Sequence, residues 1–171
     1  MKKSKNIDRI VVAISPNTPT TGLVAREIGV EVMETRGLGY EEDMKFAIKQ
    51  RKLRDVMVVS ADLPLITPVL VDRAIESYRR EMKPALSVMA PAEIVEKQGA
   101  KPSFVFQVGG KQMVPIGINL IDGTRIEEPE LEETILIAEP DDSILNVNTI
   151  EELKIARGLK ANEQRSRSKE R

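Results

Sequence analysis

Asp55-Val56-Met57-Val58-Val59-Ser60-Ala61-Asp62-Leu63-Pro64-Leu65-Ile66-Thr67-Pro68 is the stretch whose reading decides the fold. Val56-Met57-Val58-Val59 is a continuous apolar run, the pattern of a strand covered on both faces. Ser60 to Ile66 break that run, and Pro64 stiffens the loop. Thr67-Pro68 then reads as an N-cap followed by Pro at the first helical position. Leu70, Ala74, Ile75 and Tyr78 continue as an apolar stripe at helical spacing, to about Met82. Strand, loop and helix in that order form the repeating unit of an α/β protein.

The same unit recurs towards the N-terminus. Residues 7–15 contain Ile10-Val11-Val12-Ala13-Ile14, a second buried-strand run, ended by Pro16-Asn17-Thr18-Pro19. Thr20 or Thr21 is expected to cap a short helix through Ile28. Residues 30–34 read as a strand, Arg36-Gly37-Leu38-Gly39 as a loop, and residues 40–52 as a helix with Glu41, Glu42 and Asp43 in its first turn, where the dipole favours them. Alternation of this kind implies right-handed crossovers and a parallel sheet, with ligands outside the carboxyl ends of the strands.

Towards the C-terminus the pattern becomes mixed. Residues 84–90 read as a strand and residues 93–101 as an exposed charged excursion. Residues 104–108 and 112–120 flank Gly109-Gly110, a hairpin signal. Residues 134–138 form a last strand. Thr149-Ile150-Glu151-Glu152 fits a capping box that opens a final helix to about Leu159. Residues 1–160 are expected to form one domain, and 161–171 a charged, disordered tail.

Composition narrows the chemistry. Among 171 residues there is no Cys and no His, and Lys plus Arg (26) nearly balance Asp plus Glu (27). No thiolate, zinc ribbon, Ser-His triad or imidazole base is available. A net charge of -1 gives no reason to expect nucleic-acid or anionic-membrane partners. No apolar run approaches a bilayer span, and the charged start at Met1-Lys2-Lys3 has no apolar segment behind it, so the expected compartment is the cytoplasm. A resident metal is expected to be a hard cation held by oxygen, Mg²⁺ above others.

Five sites carry polar groups at strand ends. Asp62 follows the strand ending at Val59-Ser60, and Leu63-Pro64 holds its backbone. It reads as a metal ligand, against the plainer reading of a solvated turn residue. Asn146 and Asn148, two apart in an extended stretch, project to one side; they are ligand contacts or simply turn residues ahead of the Thr149 cap. Ser15-Pro16-Asn17-Thr18-Pro19 and Gly37-Leu38-Gly39-Tyr40 are loops that let backbone approach a ligand, although ordinary loop geometry explains them too. In Pro115-Ile116-Gly117-Ile118-Asn119, Gly117 suggests a bulge or a close approach, with core packing as the competitor.

Taken in order, these segments, with Val58-Val59-Ser60-Ala61-Asp62-Leu63 and Asn146-Val147-Asn148-Thr149, resemble the archaeal-type GTP:adenosylcobinamide-phosphate guanylyltransferases. That family belongs to the nucleotidyltransferase superfamily that includes the molybdenum-cofactor guanylyltransferases. The resemblance runs from about Lys5 to Leu159. It implies a Rossmann-like nucleotidyltransferase fold, a mostly parallel mixed sheet flanked by helices. It further implies GMP transfer from GTP to a phosphorylated small-molecule acceptor, adenosylcobinamide phosphate, in cobalamin biosynthesis. On this resemblance Asp62 holds Mg²⁺ with Asn148 and Asn146, Asn17, Gly37 and Gly39 face the nucleotide, and Asn119 faces the acceptor. The family's opening strand and glycine-rich loop have no counterpart: Met1 falls where the first helix should be ending. A late start codon, a truncated protein and a fragment completed by a partner each account for this. Loss of a central strand would expose apolar edges. A binding or assembly protein, dimeric so as to cover that edge, is therefore the alternative to an enzyme, as is a guanylyltransferase for molybdopterin or phospholactate.

Overall fold

The computed structural model describes residues 4–99, 102, 104–139 and 144–169. β1 (Val11–Ile14) and β2 (Glu31–Glu34) lie parallel, Val11 opposite Glu31 and Ile14 opposite Glu34. The crossover between them is α1 (Pro19–Glu27), whose N-cap position is Thr18, not Thr20 or Thr21, and which has no side-chain cap hydrogen bond. Pro19 decides the start, since its fixed φ and missing N–H suit the first helical position. The Thr18 hydroxyl is bonded back to Ser15 and so does not cap the helix. Gly22 lets α1 lie close on β1, because a Cβ there would meet Ile14 Cδ1 at 2.6 Å. α2 (Tyr40–Arg51) follows with its three acidic residues in the first turn, as expected.

The larger sheet contains β3 (Asp55–Val59), β4 (Ala85–Pro91), β5 (Phe106–Val108), β6 (Lys111–Asp122) and β7 (Glu133–Ile137). Its order is β3-β6-β4-β7, with β5 also on β6. β6 runs antiparallel to β3, β4 and β5, while β4 and β7 are parallel. Four of these five strands therefore point one way, the mostly parallel mixed sheet expected. The Gly109-Gly110 hairpin forms as read, with Val108 opposite Lys111 and both glycines at positive φ. The parallel sheet expected of the first half is not continuous: among the described residues β1 pairs only with β2, and β3 only with β6. Accordingly Val11, Val12 and Val56 to Val59 are half-buried, although their sequence reads as covered on both faces.

The core lies on one face of the larger sheet. α3 (Pro68–Glu81) begins as predicted, Thr67 Oγ1 accepting the Leu70 N–H at 3.2 Å. It sets Leu70, Val71, Ala74 and Ile75 against Leu86, Val88, Ile116, Ile118 and Leu120. The expected exposed excursion at 93–101 is instead largely α4 (Ala92–Lys97), with Ala92 and Val95 buried in this core. Its charges drew the reading away from an apolar pair three residues apart on one helix face. Residues 100 and 101 lie outside the described residues.

α5 (Ile150–Lys169) opens on the predicted capping box: Glu152 N–H donates to Thr149 Oγ1, and Glu152 Oε2 accepts from the N–H of Thr149 at 2.9 Å. The helix continues past the expected end near Leu159, through residues with good helix propensity and without Gly or Pro beyond Gly158. None of the described helices is long and apolar enough to cross a membrane.

Just before α5, Ile144 and Leu145 are 2% and 1% exposed and pin residues 144–148 to the core. Leu145→Ala is expected to lower unfolding free energy by roughly 2–5 kcal/mol. Urea denaturation measures this; a loss below about 1 kcal/mol would show that the segment is not anchored there.

Candidate functional site

Asp62 sits where β3 ends and the backbone turns towards α3. Behind it, Ser60 N–H donates to Gly117 O at 2.8 Å; ahead of it, Leu63 is buried in the core. Its own carbonyl oxygen accepts the Val147 N–H at 2.9 Å, which joins the β3 loop to residues 144–148. The carboxylate is thus held between two core-anchored stretches. Oδ2 lies 3.4 Å from Asn146 Nδ2, a long hydrogen bond, and Oδ1 is buried with no hydrogen-bond partner. A buried acceptor without a partner costs about 1–3 kcal/mol, more when charged. A cation at Oδ1 would remove that cost.

The donor set suits one kind of cation. Among the described residues no three acidic, His or Cys side chains gather to make a protein cage. Mg²⁺ commonly takes one or two carboxylates and completes its shell with waters and substrate phosphates. Asp62 with the adjoining Asn146 amide fits such an ion and not a closed structural site.

Asn148 follows Asn146 but is exposed, and its N–H is engaged by Glu152 Oε2 at 2.8 Å. Asn146 is the amide hydrogen-bonded to Asp62.

The two N-terminal loops meet each other. Thr35 N–H and Oγ1–H both donate to Ile14 O, at 2.7 and 2.9 Å, so β1 and β2 end together. A Cβ on Gly37 (φ +72°) would lie 3.2 Å from Pro16 Cδ, so the 15–19 loop packs on the glycine loop. Asn17 is exposed there, its N–H donating to Ser15 Oγ at 3.3 Å. Asp43 Oδ1 accepts the N–H of Gly37 at 3.0 Å and of Leu38 at 3.4 Å, which folds the glycine loop over the start of α2. Gly37 and Gly39 are exposed.

Tyr40 joins this corner to the rest. Partial burial raises its phenol above the usual range; the Asn119 amide beside it acts the other way, and the Asp62 charge adds to the rise. Tyr40 therefore stays protonated near neutral pH and can donate. Sequence reading included Tyr40 in a motif without giving it a role. Its signal was its place directly after Gly39, at the first turn of a helix. Asn119 itself lies opposite Val58 and Ser87, with Oδ1 3.1 Å from Ser87 Oγ. The bulge suggested at Gly117 is present: the β4–β6 register shifts between Ser87 and Met89.

No protein-family model matches this chain, and no curated protein does. The fold, however, is known. A CMP:2-keto-3-deoxy-manno-octonic acid synthetase solved with CTP superposes with a TM-score of 0.74 at 15% identity, over 95% of this chain and 84% of that one. A 4-diphosphocytidyl-2C-methyl-D-erythritol synthase gives 0.64 at 13%, over 92% and 83%. The molybdopterin-guanine dinucleotide biosynthesis protein A of Archaeoglobus fulgidus gives 0.61 at 15%, over 89% and 78%. The chain has the α/β fold of these nucleotidyltransferases.

Gly117 has φ +75°, and a Cβ there would meet Ser60 Oγ at 2.6 Å and Ser60 Cβ at 2.9 Å. Gly117→Ala is expected to cost roughly 1–3 kcal/mol through strain and displacement of the loop leading to Asp62. Chemical denaturation reads this, and a stability change within about 0.5 kcal/mol would mean the contact relaxes freely.

Proposed function

We propose that this chain transfers GMP from GTP to adenosylcobinamide phosphate and releases pyrophosphate, a step of cobalamin assembly. The observation that carries the reading is the buried, partnerless Oδ1 of Asp62 at the carboxyl end of β3, beside the Asn146 amide. Nucleotidyl transfer is further supported by the named activities of proteins with this fold, among them a synthetase bound to CTP. Guanylyl transfer to the cobinamide acceptor draws its support from the Ser15-Pro16-Asn17-Thr18-Pro19 loop packed on Gly37.

In this reaction an acceptor phosphate oxygen attacks the α-phosphorus of GTP, and the bond to the bridging oxygen of the β-phosphate breaks. The attacking phosphate is already anionic near neutral pH. No imidazole base is required, in keeping with a chain that has no His. What is needed is positioning and charge neutralisation. Asp62, with Asn146 and on the exposed side Asn148, would hold Mg²⁺, which supplies neutralisation of the triphosphate charge. Asn17 and the Gly37–Gly39 loop would position the nucleotide, and Asn119 the acceptor. The site would work in the cytoplasm.

A second reading has its own support. The separate edges of β1 and β3 suit a binding or assembly module, closed as a homodimer and without turnover. A third changes only the acceptor, to molybdopterin or phospholactate. Turnover tested with each acceptor separates all three.

Asp62→Ala is expected to abolish Mg²⁺-dependent GTP binding and to reduce GMP transfer by roughly 100-fold or more. Titration calorimetry with GTP, with and without Mg²⁺, checks this. Equal Mg²⁺-dependent affinity in variant and parent would remove the metal role from Asp62.

A further inference from the structure

The larger sheet has a second face, of which the mechanism above uses Asn119 alone. Met57, Val59, Leu136 and their neighbours point into the α3 core. The alternating side chains must point the other way. Val58, Ile121 and Ile135 are only half-buried there, and Ile137 is 50% exposed. This apolar floor is crossed by one polar row over three adjacent strands: Asn119 on β6, Ser87 on β4 and Glu133 on β7.

Proton counting fixes what the row offers a ligand. Ser87 Oγ lies 2.7 Å from Glu133 Oε2 and 3.1 Å from Asn119 Oδ1, but it carries one proton. The shorter, charge-assisted bond to Glu133 takes it. The longer contact, to Asn119 Oδ1, is left without that proton. Glu133 has no ion-pair partner among the described residues and remains exposed. The far end of the row is then an unneutralised acceptor on an apolar floor. Its near end reaches Tyr40 and, through Tyr40, the neighbourhood of Asp62.

We infer that the body of the acceptor substrate lies along this face, and that Glu133, oriented by Ser87, selects an acceptor carrying an amide N–H, hydroxyl or cationic group. Two strand spacings separate Asn119 from Glu133, roughly 10 Å. The recognised donor group therefore lies about that far from the end of the acceptor nearest Asn119. Continuity with the Asp62 corner and the unpaired charge favour a small amphipathic ligand over a protein partner. The inference rests on the nucleotidyl-transfer reading above.

Glu133→Gln and Ser87→Ala, both in the full chain, test it through pyrophosphate release with GTP, Mg²⁺ and adenosylcobinamide phosphate. The expected result is an acceptor KM raised about tenfold or more, with GTP KM, kcat and thermal midpoint unchanged. An acceptor KM within about twofold of the parent in both variants overturns the inference and leaves the reaction standing. If the parent shows no transfer, it is the reaction that fails. Hydrogen exchange of β4 and β7 amides with adenosylcobinamide phosphate, molybdopterin or phospholactate then decides the face. Protection by one of them that Glu133→Gln removes supports it; no protection by any overturns it.

Discussion

A single backbone hydrogen bond, Val147 N–H to Asp62 O, ties together two parts of the chain that contribute nothing to each other locally. On one side is the loop leaving β3, fixed by Leu63; on the other is the stretch before α5, fixed by Ile144 and Leu145. Each stretch is anchored by apolar burial, which sets position without direction. The hydrogen bond supplies direction. It brings the Asn146 amide up to the Asp62 carboxylate and leaves the other carboxylate oxygen buried and unmatched. Tyr40 from α2 feels the charge of that carboxylate, and Asn119 from β6 lies beside Tyr40.

Local order was legible where local rules decide it. The β3 run, the Thr67-Pro68 start of α3 and the Thr149–Glu152 capping box follow from spacing and side-chain chemistry alone. Asp62 and Asn146 were legible as candidates for the same reason, each following or preceding a strongly marked element. Their meeting was visible only through resemblance, because 84 residues separate them. What remained hidden is non-local or cuts against composition. No periodicity says that β6 inserts between β3 and β4, and that insertion puts Asn119 beside Ser87. Ser87 and Glu133 look like ordinary surface residues until three strands align them. The charges of Glu93, Glu96 and Lys97 masked the buried Ala92 and Val95 of α4.

The half-buried state of β1 and β3 has the same origin. A run of Val and Ile declares that a strand wants cover, but not which element supplies it. Here β1 pairs with β2 and β3 with β6, and α2 connects β2 to β3 along the chain. The corner of the N-terminal loops is held by Thr35 and Asp43, which hydrogen-bond backbone groups, and by Pro16 packed on Gly37.

Asp43 has a consequence for how the glycine loop meets anything placed against it. The amides of Gly37 and Leu38, the two that a glycine loop would ordinarily offer to an anion, are already engaged by the Asp43 carboxylate. The loop is thereby ordered before a ligand arrives, so little further freedom is lost on contact. It also carries a negative charge directly beneath it. A surface of this kind favours a neutral, flat group and repels an anionic one.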